Sequence, residues 1–350
     1  MKTKIKPTLF LFNLEVDSQS RVLAAGLDWI VAFSEHCHKV FVFSTHVGEY
    51  KLPNNVTVIE LSGPGFLGKF RWFINSTRAL SMYLRTGGEK IVFHHMSQYT
   101  VIFPGIFLKI FGARQGLWYA HAAKGITLYL AEKISSKTFT SAKGAFPIFS
   151  KKLTLLGQGV STSKFSLAFQ ENIDSKREGI FSLGRINSVK NLEKLLEIMP
   201  AKHVNRIEFM GRCEDKNYKL MIENLAKAKE LNLVINDSKS YNEIPLYLTK
   251  WSYYYCGTNT AVDKAAIEAA ASGCIIISTN KNVLKLTGMD GIYNNFDLLV
   301  PENLFDQISF FDKLTNKDIS LIRKEISARS CEQNNVVNTT HKIVDVLCTI

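Results

Sequence analysis

Two short segments hold the residues whose types and spacing suit chemistry. In Phe181–Leu192 (FSLGRINSVKNL) an apolar run ends at Gly184, and two cations, Arg185 and Lys190, follow five residues apart ahead of a helical pattern. Paired positive charges at the C-terminal edge of a parallel strand suit a diphosphate, because ligands of open α/β sheets bind beyond the strand ends. The plainer reading makes both cations ordinary solvated loop charges. In Cys256–Cys274 (CGTNTAVDKAAIEAAASGC) Asp263 is expected to cap an alanine-rich helix that Gly273 stops. The amides of Lys264 and Ala265 at that helix start would form an anion site through their unpaired N–H groups and the dipole. Glu268, one turn further in, can accept two hydroxyl hydrogen bonds from a ribose. Its bland alternative is an i,i+4 partner for Lys264.

The elements that must position these residues follow from the hydropathy pattern. Apolar runs of strand length alternate with helix-length periodic stretches along all 350 residues, as in parallel sheets covered by helices. In the first half, 8–13, 40–44, 56–61, 91–94, 116–120 and 137–140 read as strands, with helices over 19–36, 69–85, 101–111 and 125–134. The second half repeats the rhythm, with strands at 179–183, 206–210, 233–235, 253–256 and 274–278 and helices at 191–199, 216–230, 243–249 and 264–272. The polar stretch Gln170–Glu178 predicts a linker. Two α/β domains are expected, 1–168 and 176–335, each long enough to bury its own core.

Composition narrows the function classes. Hydrophobic residues make up 46% and charged residues 21%, which excludes a disordered chain. The longest apolar stretch, Val101–Ala113, contains Pro104 and Lys109 and is shorter than the ~20 residues a bilayer crossing needs. The Lys2-Lys4-Lys6 lead into Leu9–Phe12 imitates a signal peptide, but Asn13, Glu15 and Asp17 end it, and it reads as the start of a buried first strand. Six dispersed cysteines without a CxxC pair indicate neither disulfides nor a zinc ribbon, so a reducing cytoplasm is the expected home. His36-Cys37-His38 is rejected as a metal site because no distant further ligand accompanies it. The net charge of +12 lies wholly in residues 1–165, which hold 20 basic and 8 acidic side chains against 23 of each in 166–350.

The two chemical segments resemble the donor-binding domain of retaining, nucleotide-sugar-dependent glycosyltransferases of the GT-B fold, family 4, whose loops read GR-x4-K and E-x7-E. Gly184, Arg185 and Lys190 match the first motif. Glu268, with Ala269, Ala271 and Gly273, matches the second half of the other, while the position eight residues earlier is Thr260 instead of glutamate. Weaker likenesses run along the chain in order: His38–Ser44, Leu117–His121, Leu155–Val160, Phe209–Gly211 before the nucleotide pocket, and Leu246–Leu248. The resemblance implies two Rossmann-like domains facing a central cleft, an acceptor-binding first domain onto which a C-terminal helix at about 336–350 packs back, and transfer with retention and without a bound metal. It implies a nucleotide diphosphate sugar, of UDP or GDP type, as co-substrate, with no separate cofactor. Donor-binding residues would be Gly184, Gly211, Thr260, Lys264, Ala265 and Glu268, and Arg185 and Lys190 would stabilise the departing diphosphate.

His121 is the third catalytic candidate, since a histidine at a strand's C-terminal end can donate a hydrogen bond near neutral pH. The resemblance places it beside the transferred sugar, and Ala122-Ala123-Lys124-Gly125 leaves room next to it. A structural role, or the rival pair His94-His95, is the alternative. In 66–85, Phe66, Phe70, Phe73, Leu80 and Leu84 recur at helical spacing, and Arg71, Arg78 and Arg85 form a stripe on another face. With Trp72 and Val101–Arg114, that stripe suits an anionic membrane surface, and so a peripheral position on the cytoplasmic face of an inner membrane. The bland reading is a solvated charged face above a packed core. Nucleic acid is not expected as a partner, because no helix-turn-helix, RNP-like strand or zinc module accompanies the basic face.

The expected activity is therefore sugar transfer to a saccharide or lipid-linked acceptor in surface polysaccharide (O-antigen, capsule or lipopolysaccharide) assembly. The alternatives are a sugar-nucleotide epimerase of the same fold, which should hold carboxylates at the sugar, and an inactive carbohydrate-binding relative. Thr260 weighs against the first and for the second.

Overall fold

The structure, a computed structural model, describes every residue except 1–5, 21–22, 24, 63–67, 202, 260 and 297–298, and all statements below concern the described residues. The chain divides into two compact units, 1–159 with 336–350, and 160–335.

In the first unit β1 (Thr8–Val16) leads into α1 (Gly26–His36), β2 (Lys39–Val47), β3 (Val56–Glu60), α2 (Gly68–Arg85) and β4 (Lys90–His95). Then come α3 (Gln98–Ile102), α4 (Gly105–Ile110), β5 (Arg114–Trp118), α5 (Ile126–Ile134), β6 (Lys137–Thr140) and β7 (Leu153–Leu155). The strands pair in parallel in the order β3-β2-β1-β4-β5-β6-β7. The first six residues of β1, TLFLFN, are all buried, because a central parallel strand is covered on both faces. The expected helix over 19–36 begins at Gly26. That over 101–111 is two helices, since Pro104 lacks the N–H that would continue the first.

The second unit runs α6 (Thr162–Glu171), β8 (Glu178–Leu183), α7 (Leu192–Ile198), β9 (Ile207–Met210), α8 (Lys216–Ala228), β10 (Leu233–Asn236), α9 (Ile244–Leu248) and β11 (Trp251–Tyr255). It continues with α10 (Lys264–Ala271), β12 (Ile275–Ile277), α11 (Lys281–Thr287), α12 (Met289–Asn294), α13 (Leu304–Asp312) and α14 (Asn316–Asn334). Its parallel sheet has the order β10-β9-β8-β11-β12. The division between the units falls at 159–160, ahead of the polar stretch at 170–178, because α6 buries Phe165 and Phe169 and packs on α10. The last helix, α15 (Val336–Thr349), returns to the first unit, where Ile343 and Leu347 join Trp29, Phe33 and Phe93 in one core cluster.

Helix α2 departs from its expected facing. Ser76, Ala79 and Tyr83 are buried and Leu80 packs half-buried against the same core, while Phe70, Phe73 and Leu84 are exposed and Phe66 lies outside the described residues. At about 100° per residue the buried positions share one side of the helix, and the phenyls lie on the flank between that side and the arginines.

Candidate donor-binding site

Both sheets reverse their strand order at one point, β1/β4 in the first unit and β8/β11 in the second, and such switch points open a crevice at the C-terminal strand ends. The two chemical segments follow β8 and β11, so topology alone brings them to the same crevice. Tyr254 pins the end of β8 by exchanging 3.2 Å hydrogen bonds with the amide and carbonyl of Leu183. Burial raises its pKa well above the usual phenol value and keeps it a phenol. Beyond β8 the backbone turns at Gly184 (φ +133°) and runs beside the turn at Gly211 (φ +152°), with the Gly184 amide donating to the Met210 carbonyl at 2.9 Å. A Cβ at Gly211 would collide with the Gly184 carbonyl, so these two glycines set how closely the β8 and β9 loops approach.

A 3-10 turn at Ser188–Lys190 then brings the Lys190 ammonium back over Gly184, where it donates to the Leu183 carbonyl at 3.4 Å and pairs with the Asp263 carboxylate. Asn191, in the left-handed region at φ 47°, holds this return by donating to the Gly257 carbonyl at 2.6 Å. Asp263 is the N-cap of α10 and accepts from the Ala265 amide at 3.2 Å. One carboxylate thus joins the cation of the first segment to the helix start of the second. The amides of Lys264 and Ala265 were expected to be open together, and the Ala265 amide is instead taken by its own cap.

Ala265–Ala271 are all buried, Glu268 among them, because alanines let α10 lie close to its neighbours. Glu268 accepts from the Tyr241 hydroxyl at 3.2 Å, and Tyr241 sits edge-on to Phe165. The carbonyls at the other end of α10 are met by Ser327 at Ala271, Arg177 at Ser272 (3.0 Å) and Arg323 at Gly273 (3.1 Å). Burial lowers the Arg323 pKa to about 10. These groups fix the helix whose first turn faces the crevice.

Arg185 is exposed and reaches Glu214 across the loops at 3.5 Å, and Asn187 donates to the same carboxylate at 2.8 Å. Gly184, Lys190, Lys264 and Ala265 therefore gather at one rim with Arg185 at its edge, Gly211 under the loops and Glu268 one turn deeper. Thr260 lies outside the described residues. Asp263 as partner of Lys190, Tyr241 as partner of Glu268 and Glu214 as partner of Arg185 went unread in the sequence. An N-cap aspartate was visible, but its second bond depends on a residue 73 positions away.

His121 belongs to the first unit, on the exposed loop after β5, with its Nδ1 accepting from the Ala123 amide at 3.0 Å. The rival pair divides. His94 is fully buried between Thr100 (2.8 Å) and Gln115 (3.0 Å), and burial lowers its pKa to about 4. His95 stands at the β1/β4 switch point, 3.4 Å from Asn13 and beside the Trp29 ring. Glu15, Asp17 and His46 cluster at the ends of β1 and β2, with ligand atoms within 4.8 Å of one another. His36-Cys37-His38 does not gather as a ligand set. His36 lies by the His341 ring, His38 is exposed, and Cys37 is buried with its thiol pushed up to about 12.

This is a GT-B fold, two parallel α/β sheets each with its own switch point. Residues 163–292 match the family model described as glycosyl transferases group 1. Over nearly its whole length the chain is similar to solved glycosyltransferase-fold structures. Anabaena Alr3699/HepE, solved with UDP and glucose, is 12% identical at a TM-score of 0.70, covering 98% of this chain and 100% of that one. Sucrose-phosphate synthase from Thermosynechococcus elongatus is 13% identical at 0.70, covering 97% and 98%. WaaG, a glycosyltransferase involved in lipopolysaccharide biosynthesis, is 11% identical at 0.61, covering 98% and 100%. No curated protein matches the chain by sequence. Among the described residues no helix is long and apolar enough to cross a membrane.

Proposed function

We propose that the protein is a glycosyltransferase that moves a sugar, with retention, from a nucleotide diphosphate donor to a saccharide or lipid-linked acceptor in surface-polysaccharide assembly. The observation that carries this reading is the meeting of Lys190 with the capped start of α10 at the β8/β11 switch point. A diphosphate in that crevice lies against an ammonium and the positive end of a helix, with the Arg185 guanidinium at its edge. All three are in place before the sugar–phosphate bond breaks, so they stabilise the charge that grows on the leaving diphosphate without reorganising. No cofactor beyond the nucleotide sugar is needed.

Glu268, steadied by Tyr241, takes the ribose hydroxyls. His121, on an open loop of the first unit, orients the transferred sugar. That unit supplies the acceptor from an anionic membrane surface on the cytoplasmic side. The thermal transition of the purified protein titrated with UDP and with GDP tests the donor. A ligand at 100 times its Kd adds about 2.7 kcal/mol of stability, and no shift with either nucleotide would overturn the reading. Transfer to extracted lipid-linked saccharide tests the reaction. An Arg185→Ala protein that transferred sugar normally would remove Arg185 from the site.

A further inference from the structure

We infer that the outer face of α2 and α4 in the first unit is a docking surface for an anionic lipid bilayer. Along this face Phe70, Phe73, Ile74, Phe107, Ile110 and Phe111 are between 42% and 71% exposed. They form one patch. Phe73 stacks on Phe103 with ring centroids 4.9 Å apart, and Phe103 meets Phe107 edge-on at 5.7 Å, which joins the two helices through aromatic contact. Arg71, Arg78 and Arg85 are exposed along the flank of α2 next to its apolar strip, and among the described residues none of them pairs with a carboxylate. From Leu61 to Ala131 the sequence has eight basic residues and one acid, Glu89, which Arg114 holds at 3.0 Å.

Apolar side chains flanked by unpaired arginines fit the boundary between headgroups and acyl chains, where the phenyls enter the hydrocarbon and the guanidiniums meet phosphate. A second copy of the chain fits less well, because a two-fold contact through this face would set arginine stripe against arginine stripe. Nucleic acid would leave Ile74 and Ile110 without a stacking partner. The inference deepens the proposed function, resting on it only for a lipid-linked acceptor.

Co-sedimentation of the full chain with vesicles of phosphatidylcholine alone, and of phosphatidylcholine with phosphatidylglycerol at about 7:3, tests it. The protein is expected to pellet with the mixed vesicles alone. An Arg71→Gln, Arg78→Gln, Arg85→Gln protein should bind on the order of 100-fold more weakly, at about 1 kcal/mol per charge. A Phe73→Ser, Ile110→Ser protein should bind at least roughly tenfold more weakly. All five side chains replaced in these variants are exposed, the three arginines charged and Phe73 and Ile110 apolar, and the melting transition of each variant checks that it folds. Equal binding to neutral vesicles, unchanged binding by both variants, a dimer that Phe73→Ser dissolves, or release from the vesicles by RNA would each overturn the inference. A protein that binds UDP or GDP but no vesicle defeats the docking surface alone. One that binds vesicles but neither nucleotide defeats the donor reading alone.

Discussion

The two units share a sheet plan and treat charge in opposite ways. In the second, the rim cations are met by carboxylates of their own unit, Lys190 by Asp263 and Arg185 by Glu214, and the helix behind them is buried and capped at both ends. In the first, arginines 71, 78 and 85 stand outside beside exposed phenyls, and His121 rests on an exposed loop with its ring accepting from the Ala123 amide. The same topology thus supplies a crevice in each unit, and the side chains decide what each can bind. A diphosphate is a compact, fixed arrangement of charge, which rewards a rigid polar rim. A membrane surface is deformable and extended, which rewards exposed area.

The comparison breaks hardest at Gly211. Alanine there combines a clash with the Gly184 carbonyl and a backbone angle unfavourable to any Cβ, and should destabilise the second unit by about 4 kcal/mol. In urea its transition should shift while that of the first unit stays put, and a shared shift would show that the units do not unfold separately. The next largest effect lies in the first unit. His94 titrates at about 4 when folded and near 6.5 when unfolded, so the unfolded chain takes up the proton first. The stability it confers is complete above pH 6.5 and is lost as pH falls towards 4, by roughly 3 kcal/mol. A His94→Gln protein should show that much less acid sensitivity in the same denaturation experiment.

Lys190→Met should weaken nucleotide diphosphate binding about 30-fold, the size of a charge-assisted hydrogen bond lost, as read by calorimetry. Unchanged binding would mean that the pairing with Asp263 serves the fold alone. Glu268→Gln is the mildest. It should cost about tenfold in affinity for the nucleoside diphosphate and little for inorganic pyrophosphate, which has no ribose.

Some of this was legible in the chain. Gly184, Arg185 and Lys190 stand close together in sequence, and so do Asp263 and Glu268, because a strand, its loop and the next helix start are local objects. The alternation of apolar runs likewise specified two parallel sheets, since burial on both faces demands continuous hydrophobic strands. The facing of α2 was not legible. Its phenyls and the side carrying Ser76, Ala79 and Tyr83 have equal claims to a core by spacing, and the sheet beneath chose the latter.

Order along the chain therefore determined the elements, the sheet type and the two rim segments, all of which rest on neighbours within about a turn or a strand. Which carboxylate meets Lys190, which hydroxyl steadies Glu268 and which histidine is buried were settled only when distant strands came side by side. Those are pairings across the fold, and hydrogen bonds and burial have no signature in sequence until the backbone has set their distances.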